Sequence, residues 1–327
     1  MNEITIKAYA KINLSLDVLG KRPDGYHEVL MVMEQVDLYD TVTVAWLEDE
    51  GGSMGSAPDA SPGISLSINL PYLPTDGRNI AYKAAELMAE RYGRKAAEAM
   101  ARQHGKDAAG RIQIEIFKRI PVAAGLAGGS ANCAAVLHAL NRLWDLKLDL
   151  ETLMRIGVEL GADVPFCLAG QAALNRALDL NSEPLAATCA VASGIGERLE
   201  PAPPMNAWVL LSKPSIGVST AQVYGGLDLR EIREHPDTGE LVAGLRERNF
   251  LKISKNMVNV LENYSLKEYP VIVYTKNKIV TEGKAYRALM SGSGPTVFGL
   301  YTSKRKGTAA YSKLKTLNKE TFLVKTL

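Results

Sequence analysis

The sequence predicts an α+β fold in two domains, and three observations carry that prediction. Runs that alternate apolar and polar residues, as strands do, are interspersed with runs of helical spacing, and neither dominates. At 327 residues the chain is longer than a single domain commonly is. A proline-rich break, "PAPP" at 201–204, precedes a fresh strand-like run and divides the chain into 1–202 and 203–327.

Composition narrows the class. With 46% hydrophobic and 23% charged residues, the chain can bury a sizeable core and still dissolve. The balance of 38 basic against 36 acidic residues leaves a net charge of +2 and one short basic run, "SKRKG", so nucleic acid is not the expected partner. No apolar run reaches bilayer length, and the opening "MNEITIKAYAKINLSL" carries an acid early and alternates like a strand; neither a signal peptide nor a membrane partner is expected. Cys133, Cys167 and Cys189 are odd in number and set among apolar residues. They form neither a disulfide frame nor a zinc site, which fits a reducing cytoplasm, and no side-chain metal cluster is predicted.

The elements follow in order. Residues 3–18 alternate as a strand, "KRPDGYHEV" turns through Pro-Asp-Gly, and "LMVMEQVDLYDTVTV" returns as a second strand. "LEDEGGSMGSAPDASPG" (47–63) reads as a solvated loop. "NIAYKAAELMAERYG" (79–93) has helical spacing up to Gly93, the following residues extend that helix and then loop, and "RIQIEIFKRI" (111–120) alternates as a strand before Pro121. After a glycine-rich stretch, Cys133, Val136, Leu137, Leu140, Leu143 and Trp144 recur at helical intervals, which predicts an amphipathic helix with one face in the core. A second helix, 150–160, stops at Gly161. "ALNRLWDLKL" (139–148) is echoed by "ALNRALDLNS" (173–182) at six of ten positions, too little for a repeat architecture.

Chemistry concentrates in "PVAAGLAGGSANCAAVL" (121–137), six of whose seventeen residues are alanine and three glycine. The first N–H groups of a helix lack intrahelical partners and stand at the positive end of its dipole, so an anion binds there without any lysine. Gly125, Gly128 and Gly129 let the backbone bend toward a phosphate group, and Ser130 caps the helix or reaches a phosphate-bound metal ion. A tight strand-to-helix connection with a serine cap has the same composition. The spacing excludes GxxxxGK[ST], a GxGxxG after the first strand, and the HRD and DFG signatures. Asp163, between Gly161 and Val164-Pro165, reads as a candidate base or as the cap of a short turn starting at Pro165. Lys11 and Asn13 point away from Ile12, Leu14 and Leu16, as solvated strand residues do.

"PVAAGLAGGSANCAA" resembles the second motif of the GHMP kinases (galactose, homoserine, mevalonate and phosphomevalonate kinases). "KAYAKINLSLDVLGKRPDGYHEV" and "LMSGSGPTVFGLY" resemble their first and third motifs, in the same order along residues 4–301. The resemblance implies an N-terminal ribosomal S5 domain 2-like domain and a C-terminal ferredoxin-like domain. It implies ATP with Mg2+ as phosphoryl donor and a small-molecule alcohol as acceptor, in a monomer or homodimer. The wording "AKINLSL…RPDGYHE", joined to "GADVPFCL", is that of the branch acting on the 2-hydroxyl of 4-diphosphocytidyl-2-C-methyl-D-erythritol.

On that resemblance Asp163 is the catalytic aspartate and Lys11 the lysine that pairs with it and polarises the acceptor hydroxyl. Pro121, Ala123, Gly125, Leu126, Ala127, Gly128, Gly129, Ser130 and Ala131 hold the ATP phosphates, and Asn79 lies near adenine, a role compatible with capping a helix. Asn13, Tyr26, His27 and Tyr224 contact the acceptor, the last three around cytosine. Gly292, Ser293 and Gly294, in what reads alone as a βα turn, face the phosphates of the nucleotide or the acceptor.

Three features depart from the family pattern, one of them the loops near 47–63 and 94–110, which are longer than usual for the family and expected at the surface. "QAALNRALDLNSEPLAA", 171–187, intervenes soon after Asp163, where a displacement of about 1 Å lowers a rate roughly a hundredfold. Asn132-Cys133 stands where relatives often carry Asp-Ala. Another small-molecule kinase of the family, or a non-catalytic nucleotide-binding protein of the same fold, is therefore an alternative reading.

Overall fold

A computed structural model describes residues 2–48, 63–104 and 110–327. The loop expected at 47–63 lies almost wholly outside the described residues, as does the end of the expected 94–110 extension. In chain order the elements are β1 (Glu3–Lys21), β2 (His27–Glu48), β3 (Gly63–Ile68), α1 (Ile80–His104), β4 (Gly110–Phe117), α2 (Gly128–Leu143), α3 (Leu150–Val158) and α4 (Val164–Leu174). They continue with β5 (Cys189–Gly194), β6 (Arg198–Pro201), β7 (Trp208–Lys213), α5 (Thr220–Gly226), α6 (Thr238–Glu247), α7 (Phe250–Lys255), α8 (Glu262–Glu268) and α9 (Pro270–Thr281). The chain closes with β8 (Ala288–Met290), β9 (Val297–Tyr301), α10 (Lys304–Leu314) and β10 (Glu320–Lys325).

Two compact units emerge, and the long strands β1 and β2 contribute residues to both. The first unit gathers the residues up to Tyr9, Tyr39–Arg119 and Gly128–Ala186; the second gathers Ala10–Leu38, Ile120–Ala127 and Ala187–Leu327.

In the first unit the later half of β2 pairs antiparallel with β4, and β4 pairs parallel with β3, which needs the crossover that α1 supplies. Trp46 and Trp144 meet edge to face with ring centroids 6.2 Å apart. As expected, α1 continues past Gly93, to His104. The helix α2 is not amphipathic: besides the expected apolar positions, Asn132, His138, Asn141 and every alanine are buried. It is a core helix, covered by α1, α3 and α4.

The echoed decapeptides have a local cause. Asp145 and Asp179, equivalent in the echo, both adopt left-handed backbone at φ 48° and 56°, a conformation aspartate tolerates better than most residues. The asparagines four residues before them do equivalent work. Asn141 bonds the N–H and C=O of Leu148 at 3.0 Å each, and Asn175 bonds those of Lys7 at 3.0 and 3.2 Å. Residues 171–187 thus begin as the last turn of α4, which Asn175 ties to β1.

In the second unit, β7 pairs antiparallel with β10 and β9, and β8 with β9, giving the order β10-β7-β9-β8. With α5–α9 between β7 and β8 and α10 between β9 and β10, this is the β-α-β-β-α-β pattern of ferredoxin-like domains. The core beneath it takes Ile12 and Leu14 from β1, Val32 and Val36 from β2, Leu126, and Val209, Phe298 and Leu300 from the sheet.

Candidate active site

The second unit carries most of the predicted acceptor contacts. Ile12, Leu14 and Leu16 enter the apolar core, yet the opposite face of β1 is buried as well, so Lys11 is only 4% exposed and Asn13 is fully buried. The solvated-face reading of that row is therefore incorrect. Lys11 Nζ donates to Asn13 Oδ1 at 2.7 Å, and Asn13 Nδ2 lies 3.2 Å from Met31 Sδ. A buried ammonium held this way is a defined charge rather than a floating one.

The glycine stretch carries left-handed backbone at three alternating positions. Ala123, Gly125 and Ala127 all have positive φ, at 48°, 70° and 56°. Left-handed residues alternating with ordinary ones make a concave nest of peptide N–H groups, and such outliers in alanine persist only where the surroundings impose them. Two of the loop's oxygens are already engaged: Gly125 O accepts from Ser291 Oγ at 2.9 Å and Leu126 O from Lys11 N at 3.2 Å. At Gly125 a Cβ would stand 2.1 Å from Ser291 O, so only glycine lets the second and third motifs meet backbone to backbone.

The third motif is not a βα turn. It is the hairpin loop between β8 and β9, with Gly292 and Gly294 at φ 56° and 91°. Asn259 Nδ2 donates to Met290 O and Gly292 O at 2.8 Å each, and Asn13 Oδ1 lies 3.6 Å from the Cβ position of Gly292. Ser293 Oγ is 2.8 Å from Thr220 Oγ1 in the first turn of α5, the helix that carries Tyr224.

His27 and Tyr224, nearly two hundred positions apart in sequence, bring their rings to 5.1 Å between centroids at 37°. Tyr26, beside His27 in the chain, is 59% exposed. Desolvation and the nearby Lys21 lower the pKa of His27, which favours the neutral ring with one donor and one acceptor.

The rest of the predicted set lies in the first unit. The chain passes from Ala127 straight into α2 at Gly128, which puts Ser130 at the third helical position rather than the cap. Asn79 caps α1, its Oδ1 accepting from Ala81 N at 3.0 Å, and its neighbour Ile80 packs 3.6 Å from the Cβ position of Gly129. Asp163 occupies the cap position of α4, an eleven-residue helix instead of the short turn expected, but makes no side-chain capping bond. Gly161, two residues earlier, has its Cβ position 4.0 Å from Ser130 Oγ, so the Asp163 loop adjoins the start of α2.

Sequence reasoning missed Gln171, whose Nε2 donates to Ala131 O at 2.7 Å and fastens α4 to the first turn of α2. Thr220 and Asn259 were missed too. No local pattern marks a polar residue whose partner lies far off in the sequence.

Comparison with known proteins gives a consistent set of similarities. Residues 79–171 match the profile "GHMP kinases N terminal domain" and residues 241–320 match "GHMP kinases C terminal". The 4-diphosphocytidyl-2-C-methyl-D-erythritol kinase of Alkaliphilus oremlandii (strain OhILAs) is 44% identical over 328 residues, covering 100% of this chain and 97% of its own. That of Acetivibrio thermocellus is 42% identical over 328 residues, with 100% of both covered. A crystal structure of 4-(cytidine 5'-diphospho)-2C-methyl-D-erythritol kinase superposes with a TM-score of 0.72 at 27% identity, covering 99% of each chain. A homoserine kinase from Cytophaga hutchinsonii shares the fold, with a TM-score of 0.65 at 20% identity over 100% of this chain and 95% of its own.

Proposed function

We infer the reaction from the family: the chain belongs to the GHMP kinases and, within them, to the 4-diphosphocytidyl-2-C-methyl-D-erythritol kinases. It is an ATP-dependent small-molecule kinase of the non-mevalonate route to isoprenoid precursors, transferring the γ-phosphoryl of ATP to the 2-hydroxyl of 4-diphosphocytidyl-2-C-methyl-D-erythritol. The observation that carries the acceptor assignment is the ring pair of His27 and Tyr224, in the same unit as Tyr26, Lys11, Asn13 and the third motif.

In this reading Asp163 takes the proton of the 2-hydroxyl as its oxygen bonds to the γ-phosphorus and the bond to ADP breaks. The proximity of its loop to Ser130 supports the assignment. Lys11, held by Asn13, orients the hydroxyl and lowers its proton affinity. The N–H groups of 121–131 receive the ATP phosphates, Asn79 lies near adenine, and Gly292, Ser293 and Gly294 face phosphate. Tyr26, His27 and Tyr224 hold cytosine.

Among the described residues no group of three His, Cys, Asp or Glu could hold a metal ion. Mg2+ keeps several waters and would arrive on the ATP phosphates rather than in an all-protein cage. The Ser130 hydroxyl would reach the ion, whose charge neutralises that of the phosphates.

The functional domains are 1–202 and 203–327, as the separate matches at 79–171 and 241–320 support. Among the described residues no helix is long and apolar enough to cross a membrane, and all three cysteines are buried and outside any disulfide. In this reading the reaction takes place in the cytoplasm, on a small molecule, in a monomer or homodimer without nucleic acid.

The test compares ADP release with the full acceptor against 2-C-methyl-D-erythritol 4-phosphate, which lacks the cytidine. Turnover should require the cytidine, with a product heavier by one phosphoryl group. Equal turnover with both would refute the base clamp.

A further inference from the structure

The sequence departure at Asn132 leads to a buried polar cluster in the first unit. Asp40, on β2, has a side chain 0% exposed, and it forms an ion pair with Lys118, just beyond β4, whose side chain is 5% exposed. Asp40 Oδ2 also accepts from Asn132 Nδ2 at 2.9 Å, Asp40 Oδ1 accepts from Arg119 N at 2.6 Å, and Lys118 Nζ donates to Asn132 Oδ1 at 3.0 Å.

These partners sit at both margins of the glycine loop. Lys118 and Arg119 are the last residues of the first unit before the chain leaves it, and Asn132 lies in the second turn of α2, on which the chain returns. One carboxylate therefore ties the outgoing and returning strands of the loop together. Taking a charged pair out of water gains little over an apolar set of equal volume, because desolvation offsets the Coulombic attraction. What directional bonds add is position: ion pair, amide and peptide N–H are satisfied together in one arrangement of the two segments.

We propose that Asp40, Lys118 and Asn132 are positioning residues for phosphoryl transfer, fixing the two ends of loop 120–131 so that its peptide N–H groups stand ready for the ATP phosphates. This rests on the reading of that stretch as the phosphate loop. In this role they act through the backbone they hold. The strain at Ala123 and Ala127 accords with this, since a loop of left-handed alanines relaxes unless its ends are held.

Asn132→Ala is the deciding variant, because it releases the returning segment and leaves the Asp40–Lys118 ion pair in place. Steady-state kinetics should show KM for MgATP raised about tenfold or more, with KM for the acceptor within about twofold of wild type. MgADP binding by calorimetry should weaken by a similar factor, with circular dichroism unchanged. A folded Asn132→Ala protein whose nucleotide KM and MgADP affinity stay within about twofold of wild type would overturn the proposal alone. A wild-type protein that binds neither MgATP nor MgADP would overturn the phosphate-loop reading, and this inference with it.

Discussion

Burial and Lys21 together hold the pKa of His27 below the ordinary 6.5, which favours the neutral ring, and in the proposed clamp that ring would offer cytosine one donor and one acceptor. Protonation converts the acceptor into a second donor. KM for the acceptor should therefore rise as pH falls below 6.5 through that lowered pKa, while KM for MgATP stays flat over the same range. In His27→Ala the acidic rise should vanish and KM should be higher at every pH, by roughly tenfold to a hundredfold for a buried polar edge left unpaired. Persistence of the same acidic rise in the variant would assign it to another group. Residues like His27 are legible only in part. The Pro-Asp-Gly turn placed Tyr26 and His27 side by side, but the ring that meets His27 comes from Tyr224, and no local pattern joins two segments so far apart. Lys11 misleads for a related reason: alternation says which face of a strand is polar, not that the polar face is covered too.

Loops and helices carry the next set of consequences. Gly125→Ala forces a Cβ to within 2.1 Å of Ser291 O at a φ of 70°. The left-handed backbone alone costs about 1–2 kcal/mol in a non-glycine residue, and the clash must move one motif against the other. An activity loss of about a hundredfold or more is expected, with a lower melting temperature; activity near wild type would mean the two motifs need not touch. Gln171→Leu breaks the bond to Ala131 O and should cost about 1–3 kcal/mol in denaturant unfolding, with kcat falling because α4 carries Asp163 at its start. If kcat holds while stability drops, the bond is structural only. The same bond explains why residues 171–187 need not disturb the site: they begin as helix, fastened to α2 by Gln171 and to β1 by Asn175. Helix starts and stops were readable from caps and glycines, and α1 continues past Gly93 as its sequence suggests, tertiary packing outweighing a propensity penalty of about 1 kcal/mol. The third motif reads as a turn from its glycines, but whether a strand or a helix follows depends on pairing that the turn does not encode.

At the scale of the molecule, α2 and α4 are joined by His138, whose Nε2 lies 3.0 Å from Leu168 O and whose pKa burial pushes down to about 4. The folded value lies below the unfolded 6.5, so the unfolded chain takes up the proton first. Stability is therefore full above pH 6.5 and is lost as pH falls toward 4, by on the order of 3 kcal/mol. Replacing His138 with Gln, which can keep the bond to Leu168 O, should flatten that acid limb in melting curves; an unchanged limb would place the proton uptake elsewhere. The two-domain α+β architecture was legible because strand and helix periods are written into each segment and the motifs fall in family order. The compact units were not, since β1 and β2 run through both and only folding shows which residues group together. The central claim is that Asp163 drives phosphorylation of the cytidine-bearing acceptor, and the most direct measurement is ADP release with MgATP and 4-diphosphocytidyl-2-C-methyl-D-erythritol, wild type beside Asp163→Asn. Turnover in the wild type that falls by several orders of magnitude in the variant, with MgATP still bound, is the predicted result; comparable turnover in the two proteins, or none in the wild type, would contradict it.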